Sequence, residues 1–122
     1  MKIGVLGKVY EPGEPIVNEG EVGECMYIVQ QGEVEVVVTK PEGEVQLSVL
    51  GAGEPFGEMA LFTRQRRSAT VRARGKARVM TIDKRGFMKR VHEDPSLAFR
   101  ILEKMSERIA VLDGQIARLQ GH

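Results

Sequence analysis

The apolar period of this chain changes once, from two to about three and a half, near residue 83, and that change limits the fold more than any other feature. Alternation at every second position calls for strands with one covered face, whereas recurrence at steps of three and four calls for helix. In "EVEVVVTKPEGEVQLSVLGAG", Val34, Val36 and Val38 alternate with Glu33, Glu35 and Val37; "PEG" at 41–43 punctuates, and Val45, Leu47 and Val49 resume the alternation. This predicts a hairpin with one buried face. "PIVNEG" and "CMYIVQQG" read as two earlier strands, and "SATVRAR" and "ARVMTID" as a later pair around Gly75. Short strands separated by Gly and Pro turns favour a small antiparallel barrel or jelly roll over a parallel sheet. The predicted architecture is an antiparallel jelly-roll β-barrel (double-stranded β-helix) over about residues 8–82, mainly β with C-terminal helices over about 84–120.

The helical region carries its own boundary signals. Asp83 can cap "KRGFMKRV", and Asp94 with Pro95 supplies a capping residue and a first-turn proline for a second helix. In that helix Ala98, Leu102, Met105, Ile109, Leu112, Ile116 and Leu119 follow steps of 4, 3, 4, 3, 4 and 3. So narrow a stripe predicts a coiled-coil seam, and hence a homodimer through the C-terminal helix.

Composition narrows the function. A chain of 122 residues with 42% hydrophobic content supports one compact domain. Eighteen basic against seventeen acidic residues give a net charge of +1, which offers no global field for nucleic acid or an anionic membrane. Arg72 and Arg74 alternate with Ala69, Val71 and Ala73, so the basic run "RQRRSATVRARGKAR" reads as the outer face of a strand; it also lacks interleaved aromatics for stacking bases. No nucleic-acid partner is expected. Cys25 is the only cysteine, which rules out an intramolecular disulfide and a cysteine-based zinc cluster. The only histidines are His92 and His122, outside any catalytic or metal-binding constellation, so neither an enzyme nor a metal site is expected. "MKIGVLGKVY" is too short and too interrupted for a signal peptide or a membrane span, leaving a soluble cytoplasmic protein as the expectation.

Any anion site must therefore be local, and "FGEMALFTRQRRSATV", Phe56 to Val71, provides one. Gly51, Gly53 and Gly57 permit sharp turns, after which "EMALF" can form one helical turn with free N–H groups at its start. Arg67 lies where the chain re-enters a strand, and its guanidinium can bind two phosphate oxygens at once. Ser68 adds a hydroxyl beside it. Glu58 would repel a phosphate that it faced, so its useful role is to accept a hydrogen bond from a sugar hydroxyl of the same ligand. A sugar joined to a phosphate implies a nucleotide.

At these residues the chain resembles the cyclic nucleotide-binding domain family, as found in bacterial activators and kinase regulatory subunits. The likeness covers roughly residues 8 to 119 and includes "YEPGEPIVNEGEVGECMYIVQQGEVEVV", with Gly32 in the turn after a Tyr-Ile-Val strand, and the specific pair "FGEMAL" and "RSATV". The resemblance implies that Glu58 binds the ribose 2′-hydroxyl and Arg67 the cyclic phosphate, and that Gly57, Met59, Ala60, Ser68 and the adjoining Ala69 complete the cradle. It places base contacts at Leu47 and Ser48 and on the long helix at Arg108, Leu112 and Asp113. Asp113 can accept a hydrogen bond from a purine amino group, and Leu112 can cap the base. The implied ligand is cAMP, in preference to cGMP, with no cofactor.

Only "MKIGVLG" precedes the first strand, and the chain ends at "RLQGH", where the family's activators continue into a DNA-binding domain. The expectation is a stand-alone receptor that signals by movement of its C-terminal helices to an unknown downstream protein or through an altered dimer. The alternatives are a ligand-free dimerisation module on the same barrel, and the sensor fragment of a longer transcription regulator.

Overall fold

The computed structural model describes residues 6–63 and 65–119, with side chains described as far as residue 107. Six strands come first: β1 (Lys8–Tyr10), β2 (Pro15–Val17), β3 (Met26–Lys40), β4 (Gly43–Leu50), β5 (Pro55–Phe56) and β6 (Thr70–Ile82). A 3₁₀ turn, Glu58–Leu61, lies between β5 and β6, and two helices follow, α1 (Lys84–Glu93) and α2 (Ser96–Leu119). Every strand pairing is antiparallel. The fold class is the expected one, mainly antiparallel β with C-terminal helices and a short helical turn before the last strand.

The spine of the sheet is the ladder between β3 and β6, which runs from Met26↔Ile82 to Val37↔Thr70. The hydrogen-bonded path is β1-β6-β3-β4, with β2 also on β6 and β5 also on β3. Among the described strands the path ends at β1 and β4, so the sheet is jelly-roll-like without being closed into a full barrel. Gly32 and Gly75, expected at chain reversals, instead lie inside the continuous strands β3 and β6, with φ of 78° and 73°. One glycine at positive φ bends a strand and inserts a bulge without turning it back. The ladder shifts register on both sides of Gln31, beside Gly32. A Cβ at Gly32 would run into the Lys76 carbonyl, so the close approach of these two strands also requires glycine there.

The core gathers Tyr10, Val17, Val29, Val34, Leu50, Phe56, Val71, Ala73, Ala77 and Val79, with Val36 half-buried against it. Each large apolar side chain in such a cluster contributes about 1.5–3 kcal/mol. The alternation thus places Val34, Val36, Val71 and Ala73 correctly, but it fails elsewhere. Val37 is itself buried, while Val45 and Leu47 are 42% and 59% exposed. The reason is the position of β4, which pairs only with β3 and ends the sheet path. Register passes from Val36↔Ser48 to Val37↔Gln46, which leaves Leu47 as the extra residue of a bulge.

On the outer face of β6, Arg72 donates from Nε to Glu35 at 2.6 Å and from Nη1 and Nη2 to the two carboxylate oxygens of Glu44 at 3.0 and 2.9 Å. The bonds to Glu44, then those to Glu35, push its already high pKa up further. The outward setting expected of Arg72 is therefore observed.

The chain divides into two compact units, one ending at Phe87 and the other beginning at Met88. Both expected helix starts are present. Gly86 N–H donates to Asp83 Oδ1 at 2.7 Å, and Ser96 donates from both N–H and Oγ to Asp94 Oδ1, at 3.1 and 2.6 Å. Along α2, Leu97 and Ile101 are buried, Ala98 and Met105 are half-buried, and Leu102 is 59% exposed. The predicted seam is therefore not the buried stripe in its first two turns. Its later members, Ile109, Leu112, Ile116 and Leu119, have side chains outside the described residues. Among the described residues no helix is long and apolar enough to cross a membrane.

Candidate ligand-binding site

The segment "FGEMAL" folds as the sequence implies. Gly57 takes a left-handed conformation, φ 73° and ψ 16°, and caps the 3₁₀ turn. Ala60 N–H closes the first bond of the turn to the Gly57 carbonyl at 3.2 Å, and the Met59 carbonyl accepts from Phe62 N–H and Thr63 N–H at 3.1 and 2.9 Å. The amides of Glu58 and Met59 precede that first bond and so lie outside the ladder of the turn. Glu58 opens the turn and is 2% exposed, the one buried charged side chain among the described residues. Met59 and Ala60 are half-buried.

Arg67 reaches the start of the same turn. Its Nη1 donates to the Gly57 carbonyl at 3.2 Å and its Nη2 to the Cys25 carbonyl at 2.8 Å. The guanidinium lies over the Tyr27 ring, 5.7 Å from its centroid, and Tyr27 in turn stacks on Phe56 at 5.1 Å. Burial pushes the Tyr27 hydroxyl pKa up, an effect that the positive charge of Arg67 opposes. The backbone of Arg67 is fixed as well: its N–H donates to Glu21 at 2.7 Å and its carbonyl accepts from Gly20 N–H at 2.8 Å. A guanidinium has five donors, so two carbonyl bonds leave capacity for an anion in the same plane.

The structure therefore brings Gly57, Glu58 and Arg67 to one end of the turn, with Ser68 exposed and Ala69 half-buried immediately after. Leu47 and Ser48 lie together at the β4 bulge, both exposed. Arg108, Leu112 and Asp113 fall on α2, where their side chains are outside the described residues.

Sequence reasoning missed three residues that set Arg67. A Cβ at Gly23 would collide with the guanidinium, Cys25 supplies the carbonyl at 2.8 Å, and Tyr27 supplies the ring beneath it. None carries a local signal, because each acts through space on a residue some forty positions later. A cavity of about 460 Å³ opens beside the turn, lined by residues that include Cys25, Ala60, Phe62, Thr63, Asp83 and Lys84. Among the described residues, Ala60 is the predicted contact residue that lines it. Among the described residues no three His, Cys, Asp or Glu side chains gather as a metal would require.

What this arrangement can do chemically is hold a small anion against a helical turn that opens on a buried carboxylate. Residues 7–94 match the family model described as "Cyclic nucleotide-binding domain". The chain is similar to the cAMP-dependent protein kinase regulatory subunit of Yarrowia lipolytica, 42% identical over 70% of this chain and 22% of that one. It is also similar to the cAMP-activated global transcriptional regulator CRP of Salmonella typhimurium, 31% identical over 90% of this chain and 53% of that one. Among solved structures it superposes on the catabolite activator protein of Thermus thermophilus with a TM-score of 0.79 and 28% identity, covering 93% of this chain and 54% of that one. It spans about half or less of the length of each of these relatives. With a family match over well over half of its residues, the chain belongs to the cyclic nucleotide-binding domain family.

Proposed function

We propose that this protein is a receptor for a cyclic purine nucleotide, cAMP in preference to cGMP, and that it regulates a partner without catalysing a reaction. The observation that carries this reading is the placement of the Arg67 guanidinium 3.2 Å from the carbonyl of Gly57, the residue that caps the turn opened by Glu58. A cyclic phosphate at the start of the turn would meet the amides outside its ladder and the remaining guanidinium donors; the ribose would meet Glu58. Gly57, Met59, Ala60, Ser68 and Ala69 would close the cradle. Leu47 and Ser48 would meet the base. The preference for cAMP rests on the printed names of two relatives, a cAMP-dependent kinase subunit and a cAMP-activated regulator.

The signal would leave through the helices. Ligand at the turn shifts the population of arrangements of the segment around Gly86 to Val91 and of α2, and a partner protein or a second copy reads the change. Exposed Leu102 lies on the predicted seam and supports pairing of α2 with its copy. We place the protein in the cytoplasm.

Titration calorimetry with cAMP, cGMP and 5′-AMP tests the reading. The expected result is tight binding of cAMP, weaker binding of cGMP, negligible binding of 5′-AMP, and a loss of about 10–100-fold for cAMP in Arg67→Ala, the range for one or two charge-assisted hydrogen bonds. A protein indifferent to all three nucleotides, or unaffected by Arg67→Ala, would contradict it.

A further inference from the structure

Arg72 joins three strands at one point. It stands on β6 directly opposite Glu35 of β3, and its Nε donates to that carboxylate at 2.6 Å. The other end of the guanidinium grips Glu44 of β4 with two parallel bonds, at 3.0 and 2.9 Å. Such a fork fixes direction as well as distance, which an ammonium cannot do.

The strand held in this way is the least supported one near the site. β4 ends the sheet path and is laddered only to β3, and that ladder is interrupted at the bulge that contains Leu47. Val45, Gln46, Leu47 and Ser48 are all exposed, so little packing fixes their position. Hydrogen bonds that lie in water and few apolar contacts define a segment that opens at low free energy. The guanidinium bonds span from β6, the strand that follows Arg67 and Ser68, to β4, and so tie the phosphate side of the sheet to the strand that carries Leu47 and Ser48.

We propose that Arg72, through Glu35 and Glu44, is a positioning residue for base recognition: it holds β4 where Leu47 and Ser48 meet the base of the bound nucleotide. This rests on the function proposed above, and on the base lying against the β4 bulge. Arg72 is bonded to Glu35 and Glu44 and stands outside the cradle proposed for phosphate and ribose, so its loss acts on selectivity among bases more than on binding as such.

The test compares dissociation constants for cAMP, cGMP and cyclic CMP in the wild-type chain, in Arg72→Gln, and in Arg72→Lys, which keeps the cation opposite Glu35 but not the fork to Glu44. The spread among the three ligands should contract at least threefold in Arg72→Gln and recover only in part in Arg72→Lys. Arg67→Ala, by contrast, should weaken all three in proportion. A spread that is unchanged in Arg72→Gln, or a wild-type chain that binds all three alike, overturns the inference while leaving the proposed receptor function standing. Binding of no cyclic nucleotide by the wild type overturns both. Hydrogen exchange in ligand-free protein gives an independent arm: amides of Gly43–Leu50 should exchange at least tenfold faster in Arg72→Gln while those of β1 do not. Unchanged exchange at β4 refutes the clamp whatever the ligands do.

Discussion

Arg67 lies where two glycines leave room for it. At Gly57 a side chain would meet two penalties at once, a left-handed backbone at φ 73° and a Cβ 2.8 Å from Arg67 Nη1. Gly23 separates these effects: its φ is not in the left-handed range, and the collision with the guanidinium is the whole objection to a methyl group there. Gly23→Ala should therefore push the guanidinium off the Cys25 and Gly57 carbonyls with little backbone strain. We expect cAMP affinity to fall about tenfold, the loss of roughly one charge-assisted hydrogen bond, while the melting temperature moves by only a few degrees. Calorimetry and a melting curve on the same sample check this, and an unchanged affinity would show that the contact is incidental. The residue also marks a limit of sequence reasoning. Gly57 is legible because it sits in the motif, whereas Gly23 lies 44 positions before the side chain it accommodates.

At the scale of elements, what the sequence revealed was what is decided locally. Asp83 and Asp94 start the two helices as expected, because a cap needs only its own side chain and the next few amides. The turn after Gly57 formed for the same reason. The strand boundaries around Gly32 and Gly75 misled because a glycine at positive φ serves a bulge as well as a reversal, and only the pairing of distant β3 and β6 decides between them. Val45 and Leu47 alternate as core residues should, yet β4 ends the sheet path and leaves them exposed. On α2 the narrow seam obscured a second stripe, Leu97 and Ile101, which is the buried one.

The α2 cap also carries a pH dependence. Bonds from Ser96, first from its hydroxyl, hold the Asp94 carboxyl below its ordinary value of 3.8. A carboxyl with a depressed folded value contributes stability above the unfolded value, and that contribution is lost as pH falls through the folded one. Asp94→Ala should melt a few degrees below the wild type at about pH 6, and the difference should narrow as the pH falls below the ordinary carboxyl value of 3.8. Melting curves across that range check it; a gap that persists at the acid end would mean that the residue acts by something other than its charge.

At the scale of the whole molecule, the proposed receptor has to pass its signal to a neighbour, and the unburied apolar positions of α2 are where a second copy would act. Leu102, 59% exposed, lies on a heptad stripe that continues to Leu119 in the sequence. We expect sedimentation equilibrium to give a dimer for the wild-type chain and a monomer for Leu102→Glu, with the β-sheet circular dichroism signal unchanged. A wild-type monomer at all accessible concentrations would remove the dimer from the account without touching the ligand site.

The central claim is that Glu58 and Arg67 hold the sugar and the phosphate of one ligand, and the 2′-hydroxyl isolates the sugar half of it. The most direct measurement is the ratio of dissociation constants for 2′-deoxy-cAMP and cAMP in the wild-type chain and in Glu58→Gln. The account predicts a wild-type preference for the ribose ligand of about tenfold or more, as for a hydrogen bond to a charged acceptor, falling towards unity in Glu58→Gln. A wild-type ratio near one, or a preference that survives the substitution, would contradict it.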